Sequence, residues 1–258
     1  MAKIYAIISG KGGVGKSTSA INLGASLNSL GEDVIIVDGN LTTPNIGIHL
    51  GAPIVPVTLN HVLNNQAPLE DAIYEHESGT KIIPASLSLK ESERINFKRL
   101  GEITKRLKRM TDYVIIDSAA GLGEEAKSAL FAADEIIIIT NPEMSAVTDA
   151  LKTIKLAEEM NKPVIGVIIT RYQGKKVDMS ITNIRDMLEV PILGIIPEDE
   201  SIRESQVMKN AVIYTHPRSN ASRNYINTTR RLLGEDVKFE IPLQDGFFSR
   251  ILIGLGLK

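Results

Sequence analysis

Short apolar runs alternate with segments of helical periodicity along most of this chain. Continuous apolar runs are typical of parallel strands buried on both faces, and the 3.6-residue repeats between them are typical of covering helices. The predicted strands are Lys3–Ser9, Val34–Asp38, Lys81–Ala85, Tyr113–Asp117, Glu135–Thr140, Val164–Thr170 and Ile192–Pro197. The predicted helices are Lys16–Leu30, Phe97–Met110, Glu124–Ala132, Ser145–Met160, Met179–Leu188, Ser201–Asn210 and Ser219–Leu233. This alternation predicts an α/β fold, with a single doubly wound, mostly parallel sheet and helices on both faces.

The alternation continues to about Val237 without a linker, repeat or low-complexity block, which indicates one domain over residues 1–240 and a separate tail over 241–258. In doubly wound sheets, ligands bind beyond the carboxyl ends of the strands. The polar residues at those ends are therefore the candidates for a binding site.

A glycine-rich loop, Gly10-Lys11-Gly12-Gly13-Val14-Gly15-Lys16-Ser17, joins the first predicted strand to the first predicted helix. Its spacing, G-x-x-x-x-G-K-[ST], is that of a phosphate-binding loop, whose backbone N–H groups surround an anion near a positive helix terminus. We expect Gly10–Thr18 to hold nucleotide phosphates. Lys16 would reach the β- and γ-phosphates, and Ser17 would ligate Mg²⁺.

Two acidic residues follow predicted strands. Asp117 closes the apolar run Tyr113–Asp117, a position from which a carboxylate holds Mg²⁺ in nucleotide-hydrolysing enzymes of this kind. The alternative is that Asp117 only caps the loop that follows. Asp38 ends the second strand, and we expect a metal-binding and catalytic role for it as well. A polar loop, which includes Asn40 and Asn45, comes next and either positions the attacking water or simply connects two elements.

The composition narrows the choice of function. Of the 258 residues, 43% are hydrophobic and 23% are charged, as in ordinary globular proteins. No cysteine is present, which excludes thiolate nucleophiles and Fe–S or zinc-thiolate sites. The net charge of −2 gives no overall attraction to nucleic acid. We find no signal peptide and no apolar stretch of ~18 residues, so a cytoplasmic location is expected.

The loop resembles the deviant Walker A loop of the MinD/ParA family of ATPases, in which an early lysine is the signature; the resemblance is nearest to the archaeal MinD type. It extends from residue 2 to about 240 and includes Asp117-Ser-Ala-Ala-Gly121, Thr140-Asn-Pro-Glu143 and Ile196-Pro197-Glu198-Asp199. The resemblance implies that ATP closes a sandwich homodimer in which Lys11 contacts the partner's phosphates. It also implies an adenine site formed by Arg171 with Pro197, Glu198 and Asp199.

One departure from the family pattern concerns catalysis. Relatives usually carry an aspartate two positions after the strand-ending Asp38, and this chain has Asn40 there. An amide orients water but cannot accept its proton. We therefore predict a slow, Mg²⁺-dependent ATPase in which Lys11, Lys16, Asp38 and Asn40 serve catalysis.

The tail is unusually apolar. On a helix, Phe247, Ile251 and Leu255 would align, with Phe248 and Leu252 beside them. The segment Phe247–Lys258 resembles the membrane-targeting helix of MinD, which implies peripheral attachment to the inner face of the cell membrane. The alternative is that the tail packs against protein.

Other readings stay open. Basic residues on the predicted helix Phe97–Met110 suit either a solvated surface or nonspecific DNA binding, as in the ParA branch. Nucleic acid is therefore the less favoured partner, behind a second copy of the chain, a membrane surface and an unidentified regulator or cargo protein. A third reading is an ATP-binding scaffold with little hydrolysis.

Overall fold

The computed structural model describes residues 2–92 and 95–239, except for the side chain of residue 89. The predicted tail, including Phe247–Lys258, lies outside the described residues. Within them, eight strands form one sheet in the order β3-β4-β2-β5-β1-β6-β7-β8. The strands are β1 Lys3–Ser9, β2 Val34–Gly39, β3 Tyr74–Glu75, β4 Lys81–Ile83, β5 Tyr113–Ala120, β6 Glu135–Thr140, β7 Val164–Tyr172 and β8 Ile192–Pro197. All neighbours pair in parallel except β3 and β4, which are antiparallel.

The connections between strands are mostly helical. The α-helices are α1 Lys16–Ser29, α2 Ile46–His49, α3 Leu59–Leu63, α4 Leu89–Ser92, α5 Leu100–Leu107, α6 Glu124–Ala132, α7 Met144–Glu159, α8 Ile181–Leu188, α9 Glu200–Val207, α10 Val212–Thr215 and α11 Asn220–Leu232. Short 3₁₀ helices span Glu70–Ala72 and Phe97–Arg99. No helix among the described residues is long and apolar enough to cross a membrane.

The sheet is buried on both faces, as its continuous apolar strands predict. Successive residues of a strand point to opposite faces, so Ile4 and Ile8 join a core with α5–α8, whereas Tyr5 and Ile7 join a second core with α1, α10 and α11. The predicted fold class is confirmed. Apolar layers pack on both faces of the sheet, and the loops at its carboxyl edge extend from these packed strands.

The differences from the prediction are mainly at element ends. The strand predicted to end at Asp117 continues to Ala120, because small residues extend its pairing with β1 and β2. The helix predicted over Phe97–Met110 begins as a 3₁₀ turn and ends at Leu107. The sequence prediction missed β3 and the short helices α2, α3, α4 and α10, each of five residues or fewer.

Candidate functional site

The glycine-rich loop joins β1 to α1, and its glycines have specific structural tasks. Gly15 caps α1 in the left-handed conformation, with φ 86°, and Gly13 has φ 77°. At both positions an L side chain would be strained. At Gly10 an added Cβ would overlap the backbone carbonyl of Asp149 on α7. The loop therefore approaches α7 closely while its own backbone turns into the start of α1.

Thr170, near the end of β7, is hydrogen-bonded to the backbone of the glycine-rich loop. Its buried hydroxyl lies 2.6 Å from the carbonyl oxygen of Val14 and 3.1 Å from that of Thr140. The sequence prediction noted Thr170 only as a strand-end residue. Its position at a carboxyl strand end was the available signal, but the contact itself joins residues 156 positions apart.

Lys16 and Asp117 form a buried ion pair. The Lys16 Nζ donates to Asp117 Oδ1 at 2.7 Å, and the two side chains are only 8% and 0% exposed. Asp117 lies beside Asp38 in the β2–β5 register, so two carboxyl groups adjoin each other. The second oxygen of Asp117, Oδ2, is buried and has no hydrogen-bond partner within residues 2–92 and 95–239. A buried carboxylate oxygen in this state is an available ligand for a cation.

Asp38 anchors the segment 40–45 to the sheet. One carboxyl oxygen accepts from the backbone N–H groups of Asn45 and Ile46, each at 2.9 Å, and the other accepts from Asn40 at 3.2 Å. Burial, reinforced by the charge of Asp117, raises the pKa of Asp38 to about 7, although these three hydrogen bonds oppose the rise. Asp38 is therefore partly protonated near neutral pH, and its oxygens are already occupied by the backbone.

The Asn40 side chain is occupied within the same segment. Its amide donates to the carbonyl oxygen of Thr43, and its Oδ1 accepts from the Thr43 hydroxyl at 3.0 Å. Asn45 also donates to the Thr43 carbonyl oxygen, at 2.8 Å. Asn40 nevertheless borders the cavity beside the glycine-rich loop, as the prediction of a water-positioning role requires.

Most of the predicted phosphate-site residues come together around one cavity of about 370 Å³. Its lining includes Gly12, Gly13, Gly15, Lys16, Ser17, Thr18, Asn40, Asn45 and Arg171. It also includes His49 and Gln206, which the sequence reasoning missed. Gln206 donates to the Thr18 hydroxyl at 3.2 Å and so connects α9 to the start of α1.

The predicted adenine residues surround a neighbouring cavity of about 140 Å³, which Arg171, Pro197, Glu198 and Asp199 line together. Arg171 also lines the phosphate cavity and adopts a left-handed backbone, with φ 53°. The Asp199 carboxylate accepts from the N–H groups of Ser201 and Ala221, at 3.0 and 3.1 Å. Burial alone would raise the pKa of Asp199, but these hydrogen bonds outweigh it and lower the pKa. Its carboxylate is therefore hydrogen-bonded to the backbone in the first turns of α9 and α11.

Lys11 does not line the phosphate cavity and contacts the start of α7 instead. Its Nζ lies 2.9 Å from Glu143 Oε2 and 3.1 Å from the Ser145 hydroxyl, at the start of α7. The hydrogen bond from Lys11 lowers the pKa of Glu143. The two side chains are 38% and 59% exposed, and a surface pair of this kind contributes only about 0–1 kcal/mol. The Lys11 ammonium can therefore leave Glu143 at little cost.

Comparison with known proteins places this site in a family. Residues 2–167 match the family model described as an AAA domain. An uncharacterized ATP-binding protein of Methanocaldococcus jannaschii is 34% identical over 258 residues, covering 99% of this chain and 97% of the relative. The structure of the septum site-determining protein MinD from Pyrococcus horikoshii, complexed with Mg-ADP, is similar with a TM-score of 0.87 and 33% identity. The match covers 92% of this chain and 100% of that one. MinD from the MinC:MinD complex of Aquifex aeolicus is similar with a TM-score of 0.85 and 30% identity, over 93% and 99% of the two chains.

A second family model also matches. Residues 121–252 match the model described as 4Fe-4S iron sulfur cluster binding proteins of the NifH/frxC family. This chain contains no cysteine, and protein-bound Fe–S clusters are held chiefly by cysteine thiolates. The match therefore reflects the shared fold, and the cluster chemistry does not carry over. With its Gly10–Ser17 loop, its Lys16–Asp117 pair and its full-length similarity to MinD, the chain belongs to the MinD/ParA family of P-loop ATPases.

Proposed function

We propose that this protein is an ATP-operated switch: Mg-ATP brings two copies of the chain together, the dimer binds a membrane and a partner protein, and slow hydrolysis separates the copies. Lys11 is the observation that carries the proposal. Its ammonium lies outside its own phosphate cavity and is held by a weak exposed pair with Glu143. A lysine so placed is available to the phosphates of a second subunit.

A lysine contributed by the partner links dimer formation to catalysis. Phosphoryl transfer depends mainly on positioning and on charge stabilisation, and a cation supplied by another subunit completes the site only on assembly. Lys16 already supplies one cation from within the subunit. The second cation, Lys11, would then arrive only when ATP occupies the interface.

Residues suited to Mg²⁺ are present. The buried Oδ2 of Asp117 has no hydrogen-bond partner among the described residues, and Ser17, next to the Lys16 that pairs with Asp117, lines the phosphate cavity. Hydroxyl and carboxylate oxygens are the ligands that Mg²⁺ prefers, and it keeps several waters besides them. Ser17 and Asp117 would hold the ion, which would supply positive charge that neutralises the nucleotide phosphates. Asp38 is less suited to direct ligation because its oxygens already accept three backbone N–H groups.

Slow hydrolysis is supported by Asn40. Its side chain borders the phosphate cavity and is hydrogen-bonded to Thr43, so it orients the segment 40–45 but cannot take a proton. We expect turnover well below the enzyme median of about 10 s⁻¹. A slow rate suits a timer, in which the lifetime of the dimer sets how long the protein stays bound to its targets.

The membrane part of the proposal rests on the tail. Five or six apolar side chains of Phe247–Lys258 gain roughly 8–18 kcal/mol on burial, but ordering a dozen residues costs about 1–2 kcal/mol each. A single tail is therefore marginal, whereas two tails on one dimer bind with the advantage of effective concentration. The name of the Pyrococcus horikoshii relative supports a role in positioning within the cell, such as placement of the division site.

DNA binding is less well supported. Several basic residues of the Phe97–Met110 segment are engaged with the protein itself: Arg106 pairs with Glu70 at 2.9 Å, and Lys108 pairs with Asp134 at 2.7 Å. The guanidinium of Arg99 bonds the carbonyl oxygens of Val62 and Leu63. These contacts reduce the positive charge available to phosphates.

Liposome sedimentation with ATP, ADP and no nucleotide tests the proposal, using the full chain and a chain that ends at Gln244. The full chain should pellet with ATP only, and the shortened chain should stay in solution. Pelleting that depends on neither nucleotide nor tail would contradict the membrane role. Salt-dependent DNA binding by the shortened chain would favour the ParA-like function instead.

A further inference from the structure

A second cavity adjoins the phosphate cavity. It measures about 410 Å³ and lies between the segment 40–45 and the start of α6. Asn40, Thr43 and Ala120 line both cavities and so form the wall between them. On the far side of this wall lies Glu125, in the first turn of α6. The second cavity therefore places two acids, Glu124 and Glu125, beside the segment 40–45, which borders the phosphate cavity.

The phosphate cavity itself lacks a carboxylate. Among the described residues that line it, none is Asp or Glu. Asp117 is paired through Oδ1 with Lys16, Asp38 accepts three backbone N–H groups, and neither carboxylate lines the cavity. Asn40 stands where a carboxylate is expected, and an amide cannot accept a proton. Among the described residues that line this cavity, His49 is therefore the one ordinary acid–base side chain, and a carboxylate acceptor must come from outside the lining.

Glu125 has the features of that acceptor. One oxygen, Oε1, accepts a hydrogen bond from the Thr42 hydroxyl, which ties α6 to the segment 40–45. The other oxygen, Oε2, is shielded from solvent and has no hydrogen-bond partner in the part of the chain that the structure describes. Leaving a carboxylate oxygen buried and unpaired is costly, and such groups in native proteins commonly serve a function. Ala120, which lines both cavities, has only a methyl side chain.

From this geometry we infer that Glu125 is the proton acceptor in ATP hydrolysis and takes the place that Asn40 leaves without a base. The inference rests on the proposed ATPase function. The water oxygen forms a bond to the γ-phosphorus while the bond from that phosphorus to the bridging oxygen breaks, and ADP leaves with the electron pair. The water proton passes to the Glu125 carboxylate and then to the phosphate product, which regenerates the carboxylate.

Five variants test this inference: Glu125→Gln, Glu124→Gln, Asn40→Asp, His49→Gln and the double variant Asn40→Asp with Glu125→Gln. Glutamine keeps an oxygen that accepts from Thr42, so the tie to the segment 40–45 survives while the base is lost. Glu124 is the matched control, because it is the neighbouring acid but is 80% exposed and paired with Lys127. Single-turnover phosphate release and fluorescent ATP binding are measured for each variant.

Positioned general bases contribute about 10²–10⁴-fold, so Glu125→Gln should slow phosphate release at least about 100-fold with ATP affinity unchanged. Glu124→Gln should stay within about twofold of the wild type, since surface substitutions have small effects. Asn40→Asp should restore at least about tenfold to Glu125→Gln, because it returns a carboxylate to the wall. A purely structural Glu125 would not be rescued in this way.

Three results would overturn the inference. Unchanged hydrolysis by Glu125→Gln would show that its carboxylate takes no proton. A loss without rescue by Asn40→Asp would show that a missing carboxylate is not the defect. A large loss in His49→Gln, with Glu125→Gln fully active, would assign the proton to the imidazole that lines the phosphate cavity. If the wild-type protein binds ATP but releases no phosphate, the proposed ATPase function fails together with this inference.

Discussion

The buried pair of Lys16 and Asp117 gives a stability prediction that needs no ligand. Replacing Lys16 by Met removes the cation 2.7 Å from Asp117 and leaves that carboxylate, with 0% exposure, beside Asp38 without a counter-charge. Breaking a buried pair by removing one partner costs about 3–5 kcal/mol. For a protein of this size, each kcal/mol lowers Tm by roughly 2–4 °C, so we expect a decrease of about 6–20 °C.

A double variant distinguishes the effect of leaving Asp117 without its cation from the effect of changing the packing around Lys16. Adding Asp117→Asn to Lys16→Met removes the uncompensated charge, and replacement of a whole buried pair is often close to neutral. We therefore expect the double variant to recover most of the lost Tm. Thermal unfolding followed by circular dichroism, without nucleotide and with EDTA, measures both variants. A decrease below about 2 °C for Lys16→Met, or no recovery in the double variant, would refute the reasoning.

Three further predictions concern the supports of the site. Gly10→Ala should weaken ATP binding and lower the free energy of unfolding by about 1–3 kcal/mol, because its Cβ would lie 2.7 Å from the carbonyl carbon of Asp149. Gly123→Ala, with open space around it, should be tolerated. Calorimetric titration compares ATP binding by the two variants, and thermal melts compare their stability. The folded protein raises the pKa of Asp38 to about 7, above its value in the unfolded chain, so between about pH 4 and 7 the folded state binds a proton that the unfolded state has lost. The free energy of unfolding should therefore fall as pH rises through this range. Asp38→Asn should remove this pH dependence in melts without ligand. Thr170→Val removes the single hydroxyl donor that the carbonyl oxygens of Val14 and Thr140 share, so the free energy of unfolding measured by chemical denaturation should fall by about 1–3 kcal/mol. An unchanged midpoint would contradict the role of Thr170 in holding the loop.

Much of the sheet was predictable because parallel strands buried on both faces must be continuous apolar runs. The runs Glu135–Thr140 and Ile192–Pro197 match β6 and β8 at both ends. β3 was missed because two residues, Tyr74 and Glu75, show no periodicity, and α2 and α10 are too short for a helical repeat. Short elements are fixed by tertiary contacts rather than by local pattern.

The residues of the candidate site likewise differ in how far the sequence could predict their contacts. The loop Gly10–Ser17 was predictable because anion binding imposes a local spacing on the backbone. The Lys11–Glu143 pair was not, since it joins residues 132 positions apart. The tie between Thr42 and Glu125 and the three backbone donors to Asp38 likewise depend on how segments pack. Sequence patterns located the chemistry, and the fold determined which side chains are free to perform it.

The central claim, that a triphosphate is held between two copies of the chain, is tested most directly by Lys11→Ala. Molar mass by light scattering and phosphate release are measured together with Mg-ATP. Lys155→Ala is the control, because Lys155 forms a similarly exposed pair with Glu158 at the same 2.9 Å. We predict that the wild type and Lys155→Ala double in mass and hydrolyse ATP, whereas Lys11→Ala binds ATP but stays monomeric and inactive. A dimer of Lys11→Ala that releases phosphate at the wild-type rate would contradict the account.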